Sequence, residues 1–112
     1  MKKKIAIPTK DGILCSHFGH CERFCFIEVE DNKITSLSMI APPEHEPGLY
    51  PKWVREQGAS EVICGGVGSK ARNLFEQEHI IVHFGAEEKK PEELVKDLIN
   101  GSLSVNDNSC DH

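Results

Sequence analysis

Glu61-Val62-Ile63-Cys64-Gly65-Gly66-Val67-Gly68-Ser69 is the stretch of this 112-residue chain that decides its fold. Its first four residues form an almost continuous apolar run, which is typical of a strand buried in a parallel sheet. The glycines that follow predict a tight turn, and Ser69 is suited to cap the helix that comes next. A strand, a turn and a helix in this order indicate an α/β fold.

Outside this stretch, short apolar strands and amphipathic helices continue the pattern. Asp31-Asn32 is a two-residue turn that joins two strands into a hairpin, so part of the sheet is expected to be antiparallel. Apolar residues on both faces of the strand 24–30 indicate a sheet with helices on both sides. We therefore predict a mixed five-stranded sheet in a three-layer α/β/α arrangement. The predicted strands are 4–8, 24–30, 33–40, 61–64 and 80–84, and the predicted helices are 49–57, from 69 onward, and 91–101. Pro8 is expected to end the first strand, and residues 9–21 are expected to form a loop.

Composition and charge restrict the function. A chain with 38% hydrophobic and 28% charged residues is ordinary for one soluble globular domain. We predict this domain at 1–101 and a flexible, polar C-terminal tail at 102–112. The net charge of -5 argues against a nucleic-acid partner, because phosphate binding needs a basic surface. No apolar run approaches the roughly 20 residues of a membrane span, and no signal-peptide region follows the N-terminus, so we expect a cytoplasmic protein without a membrane partner.

A second unusual stretch, Cys15-Ser16-His17-Phe18-Gly19-His20-Cys21-Glu22-Arg23-Phe24-Cys25, contains three of the five cysteines and two of the six histidines. Thiolate and imidazole groups bind soft and borderline transition metals, and Gly19 permits a turn that brings the flanking side chains together. Because ligands bind such sheets at the carboxyl ends of the strands, we expect this loop and the glycine turn to meet at one edge. The candidate metal ligands are Cys15, His17, His20 and Cys21, with Cys110 and His112 of the tail.

Other cysteines and histidines are predicted to be structural. Cys25 alternates with Ile27 and Val29 along a strand, so we expect its side chain in the core. Cys64 ends a buried strand, and core packing is expected there as well. His83 flanks the last strand and is also predicted to be structural.

A simpler metal site remains open on the residues alone. Cys15, His17 and Cys21, with a ligand from the tail, could hold a single zinc or copper ion. Zinc prefers four tetrahedral ligands, and the spacing of these residues is not that of a standard zinc finger. No arrangement of nucleophile and base stands out beside a substrate pocket, so we predict that the protein is not an enzyme.

A small nucleotide-binding module is a further alternative. Gly66-Val67-Gly68-Ser69-Lys70-Ala71 fits the relaxed dinucleotide-binding pattern, and Glu87 lies where an acidic ribose partner is expected. Only one such strand–turn–helix unit is present, whereas a dinucleotide site uses two. The glycines could instead bring backbone N–H groups close to an anion at the start of a helix, with Ser69 and Lys70 as additional donors.

Five short motifs follow one another along the chain. They are Ile5-Ala6-Ile7-Pro8, His17-Phe18-Gly19, the strand Phe24–Val29, Gly65-Gly66-Val67-Gly68 and Gly85-Ala86. Together they resemble the nitrogenase iron–molybdenum cofactor biosynthesis and carrier proteins of the NifX type, and the resemblance extends over residues 3–101.

This resemblance implies a ribonuclease-H-like fold with the strand order 3-2-1-4-5. It also implies non-catalytic binding and transfer of a metal–sulfur cluster, which is the iron–molybdenum cofactor, its precursor, or a related molybdenum-containing cluster found in anaerobes. The partners would be cluster donor and acceptor proteins, and we expect a monomer or a weak dimer. The family's candidate cluster ligand falls on His17, whereas Cys15, His20 and Cys21 depart from the usual pattern. The expected cluster-binding residues are His17, Phe18, Gly19, Gly65, Gly66, Gly68 and Ser69.

Overall fold

A computed structural model of the chain describes residues 2–15, 22–41, 49–65 and 69–101. Within these ranges a mixed sheet is combined with three helices. The strands are β1 (Lys2–Lys10), β2 (Ile13–Leu14), β3 (Arg23–Glu30), β4 (Lys33–Ile40), β5 (Glu61–Ile63) and β6 (Ile81–His83), and the helices are α1 (Leu49–Glu56), α2 (Ser69–Gln77) and α3 (Pro91–Ile99). The described part of the chain has no helix long and apolar enough to cross a membrane.

The sheet has an antiparallel half and a parallel half. Its strand order is β4-β3-β1-β5-β6, with β2 paired to β1 alone. β3 is antiparallel to both β1 and β4, while β5 is parallel to β1 and β6 is parallel to β5. The turn between β3 and β4 places Asp31 and Asn32 at φ values of 51° and 65°, the left-handed conformation that a two-residue hairpin requires. The predicted mixed sheet and hairpin are therefore confirmed.

The structure differs from the prediction at β2. β1 continues through Pro8 to Lys10, and Asp11 and Gly12, at φ values of 56° and 83°, reverse the chain into β2. The prediction of a loop from residue 9 onward is wrong, since an Asp-Gly pair is itself a hairpin turn. Pro8 does not end the strand, because its carbonyl oxygen still accepts a bond from the Cys15 N–H group, at 2.9 Å. The described residues thus form six strands instead of five, and the additional strand changes the numbering of the predicted order 3-2-1-4-5.

Each face of the sheet is covered by helices. Successive residues of β1 and β3 point to opposite faces, as the predicted strand pattern indicates. The core between the sheet and α3 is formed by Ile5, Ile7, Leu14, Cys25, Ile27, Val29, Ile63, Ala86, Leu94 and Val95. The face covered by α1 and α2 includes Ala6, Phe24, Phe26, Val54, Ala59, Val62, Phe75 and Ile80.

The outer strand β4 is much less covered than the strands beside it. α3 packs against β1 and β3, and the side chains of Leu37 and Met39 on β4 stay 42% and 41% exposed. At the opposite edge, Ile81 of the short strand β6 is 58% exposed. The long exposed edge of the sheet is therefore β4.

Candidate functional site

The central strand β1 fixes both ends of the cysteine- and histidine-containing loop. The Cys15 N–H group donates to the carbonyl oxygen of Pro8 at 2.9 Å, and the Glu22 N–H group donates to the carbonyl oxygen of Thr9 at 2.8 Å. Cys15 and Glu22, which flank residues 16–21, therefore lie beside two adjacent residues of β1. The short hairpin of β1 and β2 produces this arrangement. It reverses the chain direction, so that Cys15, which follows β2, lies beside Pro8 of β1.

The glycine turn begins at the same edge of the sheet. β1 and β5 are parallel neighbours, with Ala6 opposite Val62, so the residues after β5 leave beside the end of β1. The Cys64 N–H group donates to the carbonyl oxygen of His83 at 2.8 Å, and the Gly85 N–H group donates to that of Gly65, also at 2.8 Å. These bonds extend the pairing of β5 and β6 and hold the residues on which the turn starts.

The segment that leads to α3 completes this edge. The Ala86 N–H group donates to the Cys64 carbonyl oxygen at 3.1 Å, and the Leu14 N–H group donates to the Lys89 carbonyl oxygen at 2.9 Å. The chain after β6 is thereby bonded both to the end of β5 and to β2. Backbone hydrogen bonds thus fix both ends of the cysteine- and histidine-containing loop and the start of the glycine turn.

The described residues include only part of the predicted site. Cys15 is a buried cysteine, Gly65 is buried, and Ser69 is the first residue of α2. Within the described ranges, no group of three or more His, Cys, Asp and Glu side chains is placed to hold a metal ion. The other predicted site residues lie outside these ranges: His17, Phe18, Gly19, His20, Cys21, Gly66, Gly68, Cys110 and His112.

Two further thiols are core residues. The Cys25 side chain is fully buried on the α3 face of β3, and Cys64 is fully buried at the end of β5. Burial, together with the negative charge of Glu92, raises the pKa of the Cys25 thiol to about 11. A thiol with such a pKa stays protonated near neutral pH, so it is a poor metal ligand. The prediction that Cys25 and Cys64 are core residues is confirmed.

Arg72 places a positive charge near the glycine turn, and the sequence analysis did not single it out. The Arg72 guanidinium carbon lies 4.8 Å from the centroid of the Phe84 ring. Arg72 belongs to the first turn of α2, and Phe84 directly follows β6. A cation at the start of a helix is disfavoured by the helix dipole unless an anion is present. A basic residue in the first turn after a glycine stretch is the signal that could have identified it.

A cavity of about 420 Å³ opens beside the fixed ends of the loop. The Asp11 N–H group donates to a carboxylate oxygen of Glu22 at 3.0 Å, and the Thr9 hydroxyl donates to the Arg23 carbonyl oxygen at 2.8 Å. The cavity therefore has both acidic and basic groups on its wall. Its lining residues are Thr9, Asp11, Gly12, Glu22, Arg23 and Met39.

His83 has a structural contact away from this cavity. Its Nε2 atom lies 2.8 Å from Glu61, and the Lys3 ammonium lies 3.1 Å from the other oxygen of the same carboxylate. The His83 hydrogen bond and the Lys3 charge lower the pKa of Glu61, although burial opposes this effect. The three side chains connect β1, β5 and β6, which agrees with the structural role predicted for His83.

The chain resembles a known protein family and several known proteins in sequence or structure. The family model described as "Dinitrogenase iron-molybdenum cofactor" matches residues 1–101. The uncharacterized protein MJ0580 of Methanocaldococcus jannaschii is 28% identical over 106 residues, which are 89% of this chain and 88% of that protein. The crystal structure of PH0822 has a TM-score of 0.86 and 26% identity, and it covers 94% of this chain and 96% of its own. The apo form of the orange protein from Desulfovibrio gigas has a TM-score of 0.77 and 18% identity, over 94% of this chain and 93% of its own. At this identity, the similarity shows a shared fold and nothing more.

Proposed function

Since the chain belongs to the dinitrogenase iron-molybdenum cofactor family, we propose that it binds a metal–sulfur cluster at the carboxyl edge of its sheet. Membership of the family indicates a role connected with this kind of cofactor. The finer proposal is that the protein is a NifX-type carrier with a ribonuclease-H-like fold. It receives the cluster from one cytoplasmic protein and passes it to another without catalysing a reaction.

The observation that carries this proposal is the attachment of both ends of the loop to β1. Bonds from Cys15 to Pro8 and from Glu22 to Thr9 fix where the segment with His17 starts and ends. A loop with closely spaced ends loses less conformational entropy when its side chains converge on one ligand. The short segment 16–21 is therefore well suited to supply several thiolate and imidazole ligands to one cluster.

The neighbouring positive charge supports an anionic ligand. Clusters with several sulfides carry negative charge, and backbone N–H groups at the start of a helix attract anions. We propose that Gly65, Gly66, Gly68 and Ser69 offer such donors at the start of α2. Arg72, which lies over the ring of Phe84 at 4.8 Å, would add a cationic group on the same side.

The metal itself is proposed to bind to side chains of the loop and the tail. His17 is the first ligand in this proposal, and Phe18 and Gly19 contact the cluster. Reversible transfer requires that some ligands can be exchanged for those of a donor or acceptor protein. The other proposed metal ligands are Cys15, His20, Cys21, Cys110 and His112.

The ligand role of His17 can be tested with two matched substitutions. His17→Asn removes the imidazole from the loop. His79→Asn removes an exposed imidazole just before β6, at the end of the sheet where the parallel strands begin. Asn is chosen because His79 has a φ of 61°, a conformation that Asn tolerates. The proposal predicts that His17→Asn loses the cluster's charge-transfer absorption and bound metal when purified without oxygen. His79→Asn keeps both.

Equal retention of cluster by the two variants would contradict the ligand role of His17. Circular dichroism and the denaturation midpoint serve as folding controls for each variant. Zinc alone at about one per chain in the parent protein would favour the simple zinc site instead. A retained nucleotide without metal would favour the nucleotide-binding alternative.

A further inference from the structure

The edge strand β4 carries an exposed apolar surface. This surface lies on the same side of the sheet as α3, beyond the part that α3 covers. Ile34, Leu37 and Met39 lie opposite Val29, Ile27 and Cys25 of β3, which belong to the core under that helix. Ile34 is partly buried against the core, while Leu37 and Met39 are 42% and 41% exposed. We refer to these three residues of β4 as the β4 strip.

A cavity lies at each end of the β4 strip. The cavity at its start has a volume of about 310 Å³ and is lined by Asn32, Lys33, Ile34, Lys96, Ile99 and Asn100. The cavity at its end is the one of about 420 Å³ that includes Met39, Asp11 and Arg23. Because β4 runs along the side of the sheet from the first cavity to the second, the strip connects the first cavity to the end of the sheet that carries the candidate site.

The C-terminal segment of the chain begins at the first cavity. α3 ends at Ile99, and Gly101, at a φ of 73°, follows Asn100 on the cavity wall. Residues 102–112 follow directly. Their first part, Ser102-Leu103-Ser104-Val105, alternates polar and apolar residues with the period of an extended strand.

We propose that residues 102–112 bind along the β4 strip in an extended conformation. Leu103 and Val105 would cover Leu37 and Met39. Cys110 and His112 would then reach the cavity beside the fixed ends of the 16–21 loop. This inference extends the proposed function, because it gives the route by which these two residues join the candidate site.

The length of the segment fits this route. Extended chain advances about 3.3 Å per residue, so the nine residues 102–110 span about 30 Å. The seven residues from Ile34 to Ile40 span about 23 Å on the same basis, and the longest dimension of the molecule is 33 Å. A helix of nine residues would cover only about 14 Å, so an extended segment reaches the far cavity and a helical one does not.

The charges at the start of the route also fit the segment. Residues 102–112 contain Asp107 and Asp111 and no lysine or arginine. Lys33 and Lys96 line the first cavity, whereas the wall of the second has Arg23 beside the acidic Asp11 and Glu22, so the charge match applies to the start of the route. Since the segment is covalently attached beside the strip, its effective concentration there is far higher than that of a separate partner.

The test uses the full-length protein without any cluster, so its result does not depend on the proposed function. Three full-length forms are compared by backbone NMR: the parent protein, a Leu37→Ser/Met39→Ser variant, and an Ile81→Ser control. Ile81 is a more exposed apolar residue at the opposite sheet edge, so the control removes a comparable side chain away from the route. A chain truncated after Gly101 is the fourth sample.

In the parent protein, the proposal predicts restricted amide motion at 103–105 and protection of these amides from exchange. The double variant should lose both signals, and the Ile81→Ser control should keep them. Truncation should shift the amide resonances of Leu37, Met39 and Arg23 while the fold stays intact. Freely moving amides throughout 102–112 in the parent protein, or truncation shifts that avoid β4, would overturn the proposal. Signals that appear only at high concentration, with slower tumbling, would also overturn it, because a second copy would then cover the strip.

Discussion

At the scale of single residues, the cysteines show how position decides chemistry. Cys15 and Cys25 lie in the same eleven-residue stretch, yet Cys25 is a core residue whose pKa is raised to about 11. The period-2 alternation of β3 was sufficient to predict this, because it assigned Cys25 to the same face as Ile27 and Val29. No comparable pattern applies to residues 16–21, so the ligand roles of His17, His20 and Cys21 stay predictions.

The raised pKa of Cys25 predicts a specific loss of stability in alkali. The folded protein holds this proton up to about pH 11, whereas the thiol of the unfolded chain loses it near its ordinary pKa of 9.0. The unfolded state therefore binds fewer protons in this window, and the free energy of unfolding falls as the pH rises from about 9 to about 11. Denaturation midpoints of the parent protein and Cys25→Ala should converge over this range. A constant difference between them would contradict the assigned pKa.

Arg72 is expected to contribute to cluster binding through its positive charge. Arg72→Gln should weaken cluster binding by roughly 10- to 150-fold, since a charge-assisted contact is worth about 1.5 to 3 kcal/mol. Arg55→Gln is the control, because Arg55 is an exposed residue of α1 that donates to the Glu78 carbonyl oxygen at 3.1 Å. Titration with cluster, followed by absorption, measures both variants. Equal weakening of binding in both would indicate a general effect of charge instead of a site at Arg72.

At the scale of secondary structure, the β1–β2 hairpin is the element that the sequence analysis missed. Two residues are too few to show a strand period, and Pro8 was expected to stop β1 although its carbonyl group continues the pairing. The longer elements were predictable, since β3 alternates between two buried faces and α3 begins with Pro91. The missed hairpin matters for function, because it returns the chain to Pro8 and so determines where Cys15 lies.

A substitution in the turn between β1 and β2 can add backbone strain without a steric clash. Gly12 has a φ of 83°, and a Cβ atom there would meet nothing within 4 Å. Gly12→Ala should therefore cost about 1 to 2 kcal/mol of stability through backbone strain alone. Gly58→Ala, at a φ of 91°, imposes similar strain after α1, where the new Cβ would meet only the Lys4 ammonium at 3.9 Å. Urea denaturation should show comparable losses for the two variants.

Cluster affinity should separate these two glycine variants. Gly12→Ala shifts the hairpin that positions Cys15 and should weaken cluster binding, whereas Gly58→Ala should bind as the parent protein does. If both bind equally well, the geometry of the hairpin is not important for the site.

At the scale of the whole molecule, the strand order brings the described residues that flank the two unusual stretches of the sequence to one edge. β1 lies between β3 and β5, so the loop that follows its hairpin and the turn that follows β5 leave the sheet as neighbours. The sequence allowed this arrangement to be predicted, because alternating strands and helices require parallel crossovers. It did not predict where a positive charge would lie in a chain with a net charge of -5, since the contact between Arg72 and Phe84 depends on the packing of α2 beside β6.

The most direct test of the central claim is the metal and sulfide content of the protein, purified without oxygen from its native source, together with its absorption spectrum. Cluster binding predicts molybdenum or iron accompanied by sulfide, and charge-transfer bands in the visible range. Zinc alone, or a bound nucleotide without metal, would contradict the account of this protein as a carrier of a metal–sulfur cluster.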